Sequence, residues 1–241
     1  MPSKSRNKAS PASSKGGCCC SLTGFLKFFA VLIAVLAPVG YYLEQRLSSF
    51  YIFDVDHLAD LQQRSLLAHG NDTRAVVQFI VDELSTRPET KAHVNLDEEW
   101  VFNNAGGAMG GMYIIHASIT EYLIIFGTPI GTEGHSGRHT ADDYFHILSG
   151  YQMAYAPGPG RYTPEFYPQG SVHHLRRGDV KQYMMPEGGC FALEYARGWI
   201  PPMLFFGYAD TFFSTLDFYT LWRTSWVTAR EMGANLLVGK F

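Results

Sequence analysis

The run Gly189-Cys190-Phe191-Ala192-Leu193-Glu194-Tyr195-Ala196-Arg197-Gly198 is apolar with a single carboxylate at its centre. Read as a strand, its period of two puts Glu194 on one face with Cys190, Ala192 and Ala196, while Phe191, Leu193 and Tyr195 point the other way. An ionised carboxylate in an apolar interior is costly unless paired. Glu194 is therefore partnered, held neutral with a raised pKa, or placed to meet a cationic ligand. The small residues flanking it leave room for something other than a side chain of this face.

The remaining residues with chemical potential are less focused. Further carboxylates are Glu121, Glu133, Asp142 and Asp143, of which Asp142-Asp143 reads equally well as a solvated turn or a helix cap. Histidines cluster at His135, His139, His146 and His173-His174, which invites a metal reading. Metal-binding barrels of the cupin type use a His-x-His pair, a following Glu and a distant His, whereas here the close pair is four apart around glycine, so no metal is expected. His146, in the strand-like Tyr144-Phe145-His146-Ile147-Leu148, reads as a hydrogen-bonded core or surface histidine unless it borders a ligand. No nucleophile elbow, P-loop, dinucleotide fingerprint or zincin motif occurs, which leaves hydrolase, kinase and Rossmann chemistry without support.

The elements that must hold these residues follow from composition and punctuation. At 241 residues and 46% hydrophobic, the chain can bury one sizeable core with appendages, and a net charge of -3 provides no basic field for nucleic acid. Residues 1–21 read as a basic tail ending in Cys18, Cys19 and Cys20, which are open to acylation at a membrane face. Residues 22–43 form an uncharged run, apart from Lys27, of roughly 33 Å as a helix, long enough to span a bilayer. A cleavable signal peptide is the rival, with Pro38 directly after Ala37 against it. Positive charge lies before the span, predicting a cytosolic tail and a lumenal domain.

Residues 44–91 read as a helical connector: Asp54 or Asp56 caps one helix that ends near Gly70, and Asp72 or Thr73 caps a second that Pro88 stops. Asn71-Asp72-Thr73 is a glycosylation sequon. Over 92–200, short apolar runs are broken by Gly, Pro, Asn and Asp: 111–126, 144–155, 171–175, 180–185 and 190–196. This spacing predicts a mainly β unit, an antiparallel barrel or sandwich with one filled interior. Gly106-Gly107-Ala108-Met109-Gly110-Gly111 reads as a turn or a close backbone approach. Residues 201–241 read as two aromatic helices, the last opened by a capping box at Ser214-Thr215-Leu216-Asp217, that lie in the bilayer interface or cover the open end of the barrel.

Three runs together carry a family resemblance: Gly131-Thr132-Glu133-Gly134-His135-Ser136-Gly137-Arg138, then Ala192 to Pro201, then Ala209-Asp210-Thr211-Phe212-Phe213-Ser214-Thr215-Leu216-Asp217-Phe218. They resemble the family shared by fungal sterol C-8 isomerases and the sigma non-opioid receptor of animals, in order over about residues 45–241. His135 to Leu148 and Val172-His173-His174-Leu175 look like the isomerase branch. The receptor branch carries a second ligand-facing aspartate where this chain has Phe145, which makes Asp142 the nearest stand-in.

The resemblance implies a cupin-like β-barrel without metal or cofactor, an N-terminal transmembrane helix and two C-terminal membrane-associated helices, assembled as a homotrimer in the endoplasmic reticulum membrane. It implies a sterol delta-8 to delta-7 isomerase of ergosterol-type biosynthesis, inhibited by lipophilic amines; the alternative is a receptor-like protein that binds such amines or sterols without catalysis. It matches Glu194 to the central ligand-binding carboxylate and Tyr122 to a tyrosine that hydrogen-bonds it. On this basis Glu194, Asp142 and Tyr122 are the expected catalytic residues, with Phe145, Ala192, Ala196 and His146 completing the ligand site.

Overall fold

The computed structural model describes residues 22–241; the basic tail and Cys18 to Cys20 lie outside the described residues. Helix α1, Leu22–Arg46, belongs to one unit, and residues 47–241 form the other. The 25 residues of α1 are apolar apart from its last turns and Lys27, and at about 1.5 Å per residue they are long enough to cross a membrane.

The second unit begins with a short 3-10 turn, Leu47–Phe50, and two helices, α2 Val55–His69 and α3 Thr73–Thr86. Each has an aspartate cap: Asp54 accepts from the His57 N–H and Asp72 from the Ala75 N–H. Gly70 closes α2 at φ 59°. Leu58, Leu61, Val76, Ile80 and Leu84 are fully buried and place both helices on one face of the sheet that follows.

Among the described residues, ten strands form two antiparallel sheets. The first has six: β1 Trp100–Ala105, β2 Ala108–Ala117, β3 Glu121–Thr128, β10 Cys190–Gly198, β5 Ala141–Ser149 and β8 Val172–Leu175, in that spatial order. The second has four: β4 Thr132–His135, β9 Gln182–Met185, β6 Tyr151–Tyr155 and β7 Glu165–Pro168. Met112, Ile124, Ile147, Ala192 and Met185 share one interior between the sheets. The expected closed barrel is thus two sheets without a continuous ladder. The chain crosses from one sheet to the other at Gly150, where φ is +71° and a Cβ would stand 2.2 Å from the Gly189 carbonyl oxygen.

The expected run 111–126 divides into β2 and β3, and 144–155 into β5 and β6; β1, β4 and β7 lie outside the expected runs, since their residues alternate poorly and include Asn, Gly or Pro. Gly106 and Gly107 turn the β1–β2 hairpin at φ +65° and +85°, and a Cβ on Gly110 would meet the Gly127 carbonyl oxygen at 2.7 Å, so the glycine cluster provides both a turn and a close approach.

After β10, α4 Ile200–Asp210 and α5 Phe218–Leu237 pack Met203, Leu204, Val227 and Met232 against the same interior. The last helix is capped by Asp217 itself, which accepts from the Thr220 N–H, rather than by a box opening at Ser214. Glu121, fully buried, ties distant segments together: it accepts from the Ile52 and Phe53 N–H groups and the Tyr195 hydroxyl, and pairs with Lys240 at 2.8 Å.

Candidate functional site

The strand reading of residues 190–198 holds. Cys190, Ala192 and Ala196 face the interior between the sheets, whereas Leu193 and Tyr195 pack beneath α2 and α3. Glu194 points inward, opposite Ile124 on β3 and Phe145 on β5. What occupies the space beside it is a second carboxyl. Asp143 stands opposite Ala196 on β5 and shares a hydrogen bond with Glu194. The two acids are diagonal neighbours across adjacent strands, and the methyl side chain of Ala196 leaves the longer Glu194 room to reach across.

Asp143, not Asp142, is therefore the second acid. Asp143 is 2% exposed, whereas Asp142 points the opposite way, bonds His174 Nε2 at 3.0 Å and accepts from the Arg177 N–H. Strand parity contained this answer: Phe145 counted as inward-facing puts Asp143 inward and Asp142 outward. The same parity removes His146 from the site. It is fully buried on the face of Tyr144 and Leu148, and among the described residues neither ring nitrogen has a hydrogen-bond partner. Burial lowers its pKa to about 4, so it is a neutral core residue.

Tyr122 faces the interior, but its hydroxyl pairs with Thr228 Oγ1 on α5 at 3.1 Å, and 4.0 Å separates it from Met112 Sδ. It stands opposite Ala196, two residues along β10 from Glu194, and lines the cavity with the acid while its hydroxyl fastens the covering helix. Phe145 does line the cavity with Glu194 and Asp143. Ala192 and Ala196 share their face but are fully covered. Tyr183, on β9 of the opposite sheet, lines the cavity as well, and both acids act electrostatically on its hydroxyl. The run 180–185 is legible as a strand, but nothing in the sequence points Tyr183 to the acids, because β9 lies on the other sheet.

The cavity is open on one side, and with the solvent at its mouth counted about 1230 Å³ of space lies among its walls. Its walls near the acids are Met112, Ile124, Phe126 and Phe145, and α4 and the start of α5 close it with Met203, Leu204, Phe206 and Leu221. His135 and His139 lie at its margin, with their rings 6.2 and 5.4 Å from that of Phe206.

In this setting both acids titrate above the carboxylate range. Burial raises Glu194, and the charge and hydrogen bond of Asp143 add to it. Burial likewise raises Asp143, partly offset by the hydrogen bond from Glu194. Two carboxyls in one apolar pocket cannot both ionise at little cost, so the pair holds a shared proton near neutral pH. Such a pair can donate a proton, take one back, and stand as counter-ion to a cation formed between the two steps.

A family profile described as ERG2 and Sigma1 receptor like protein matches residues 30–240. A Neurospora crassa protein named C-8 sterol isomerase is 73% identical over 221 residues, which cover 92% of this chain and 85% of that protein. The sigma non-opioid intracellular receptor 1 of Taricha granulosa is 38% identical over 204 residues, covering 83% and 88%. Among solved structures, an RmlC-like cupin from Shewanella frigidimarina overlaps 46% of this chain and 95% of its own, at 12% identity and a TM-score of 0.37.

Proposed function

The chain belongs to the ERG2 and Sigma1 receptor like protein family, and from that premise we infer that it is a C-8 sterol isomerase that moves the delta-8 double bond of a sterol to delta-7. The observation that carries the reading at the site is the buried, hydrogen-bonded Glu194–Asp143 pair, set in an apolar cavity.

The reaction adds a proton at carbon 9, places positive charge at carbon 8 and removes a proton from carbon 7. Electrons and protons balance without any redox step. Glu194, the acid held highest, donates to carbon 9, and the ionised pair then faces the cation in a low dielectric. One of the two carboxylates accepts the carbon 7 proton, so the pair ends the cycle with the one proton it began with. Asp143 thereby takes the role expected of Asp142, and Tyr122 acts through Thr228 to hold α5 over the cavity.

The same proposal extends to placement. Helix α1 anchors the chain, and the exposed Phe218, Tyr219, Trp222 and Trp226 of α5, with Phe213 just before it, suit a bilayer interface. Residence in the endoplasmic reticulum with a cytosolic N-terminus and lumenal sheets, a homotrimeric assembly, a place in ergosterol-type synthesis and inhibition by lipophilic amines rest on family membership. The test is expression in a fungal strain lacking its own C-8 isomerase. Restored delta-7 sterols support the enzyme; continued delta-8 accumulation, with the protein present and binding amines, supports a receptor-like binder instead.

A further inference from the structure

Phe145 stands directly opposite Glu194, and its surroundings explain what a ring does there. In one row across three strands, Phe145 pairs with Glu194 on β10 and with His173 on β8. Directly opposed side chains of this kind have Cβ atoms about 5 Å apart. The Phe145 ring therefore borders the acid on one side. On the other, it stacks on the His173 imidazole at 5.5 Å and 24°, and His173 stacks on Tyr167 at 4.3 Å and 23°. Tyr183 adds a second ring 6.4 Å from Phe145, and both rings line the cavity with the two acids.

The protonation state of His173 follows from its partners. Its Nε2 lies 3.2 Å from Lys181 Nζ and its Nδ1 2.7 Å from Gln152 Oε1. An ammonium only donates, so Nε2 accepts; the ring's one hydrogen is then on Nδ1, donated to the amide oxygen. The imidazole behind Phe145 is thus neutral and fixed in one tautomer. A charged ring at that position would repel a cation forming in front of Phe145.

We propose that Phe145, backed by neutral His173 and flanked by Tyr183, presents a π face to the cation formed at carbon 8, so that aromatic rings share with the carboxyl pair the work of stabilising it. This deepens the isomerase reading and rests on it. A desolvated cation over an aromatic face is stabilised substantially, whereas the neutral sterol gains nothing from the ring's quadrupole, so the effect belongs to the transition state. Phe145 is a catalytic residue in this sense, and His173 a positioning residue.

The test replaces Phe145 in the full chain with phenylalanines bearing one, two and three ring fluorines, which keep the shape and drain the π face. Turnover of a delta-8 sterol falls stepwise, by about 10- to 30-fold in total, with KM little changed. Affinity for a quaternary-ammonium sterol analogue falls in parallel, while that for its uncharged carbon isostere does not. His173→Phe keeps the preference for ammonium over carbon, and His173→Leu reduces it without weakening the carbon analogue. Turnover and ammonium affinity that ignore fluorination, or a preference untouched in His173→Leu, would overturn the inference. Should the wild-type chain show no isomerase activity, the functional reading fails, and the two-analogue comparison still decides whether the rings recognise a cation.

Discussion

Replacing Asp143 with asparagine separates the chemical demand of the site from its stability. The Asp143 carboxyl is displaced from an ordinary 3.8 to about 7 by burial. At about 1.4 kcal/mol per pH unit, a folded chain forced to ionise Asp143 carries roughly 4 kcal/mol of unfavourable energy. Between about pH 4 and pH 7 the folded chain keeps a proton that the unfolded chain has released, so stability falls as pH rises and levels off above the folded value. Asp143→Asn removes one carboxyl and offers Glu194 an amide donor. Unfolding of the detergent-solubilised full chain at pH 5 and pH 8 should show similar stability at pH 5 and a variant more stable by about 2–4 kcal/mol at pH 8. The same variant loses about 10²- to 10⁴-fold in sterol turnover, the range of one lost general acid or base. Asp142→Asn, altering a half-exposed residue paired with His174, should do neither. A stability difference independent of pH, or a variant weaker at pH 8, would refute the shared proton.

Other outcomes follow from residues outside the pair. Lys240→Met leaves Glu121 buried without its cationic partner and should destabilise the unit by about 3–5 kcal/mol in denaturant unfolding. Tyr122→Phe and Thr228→Val should each reduce stability by about 1 kcal/mol and together by less than the sum, as a double-mutant cycle would measure. His146→Leu, which removes two buried ring nitrogens lacking partners among the described residues, should leave turnover intact and stability equal or higher. Asn71 is exposed between α2 and α3, and a mobility shift on deglycosylation would place that turn in the lumen.

The parts of the fold and site that were legible are those where a local rule is costly to break. A charge alternating with small residues in an apolar run marked Glu194, because an interior carboxylate demands an explanation wherever it occurs. Asp54, Asp72 and Gly70 marked helix ends, because the free N–H groups of a first turn and a left-handed closing residue favour few side chains. Asp143 was legible in principle but misassigned by one position, and in a strand one position is the difference between core and surface. Tyr183 and the Thr228 partner of Tyr122 were beyond reach: each meets the site from an element distant in sequence, and only the packing of two sheets and α5 brings them there. The sheets' failure to close has the same origin, since a ladder between distant strands leaves no mark on either strand alone.

Turnover of a delta-8 sterol by purified Glu194→Gln, beside wild type and with folding checked by thermal unfolding, tests the central claim most directly. Glutamine keeps the shape and can neither donate the proton nor carry the counter-charge, so the account predicts delta-7 product reduced by at least about 10³-fold in a folded protein. Turnover near that of wild type would contradict it.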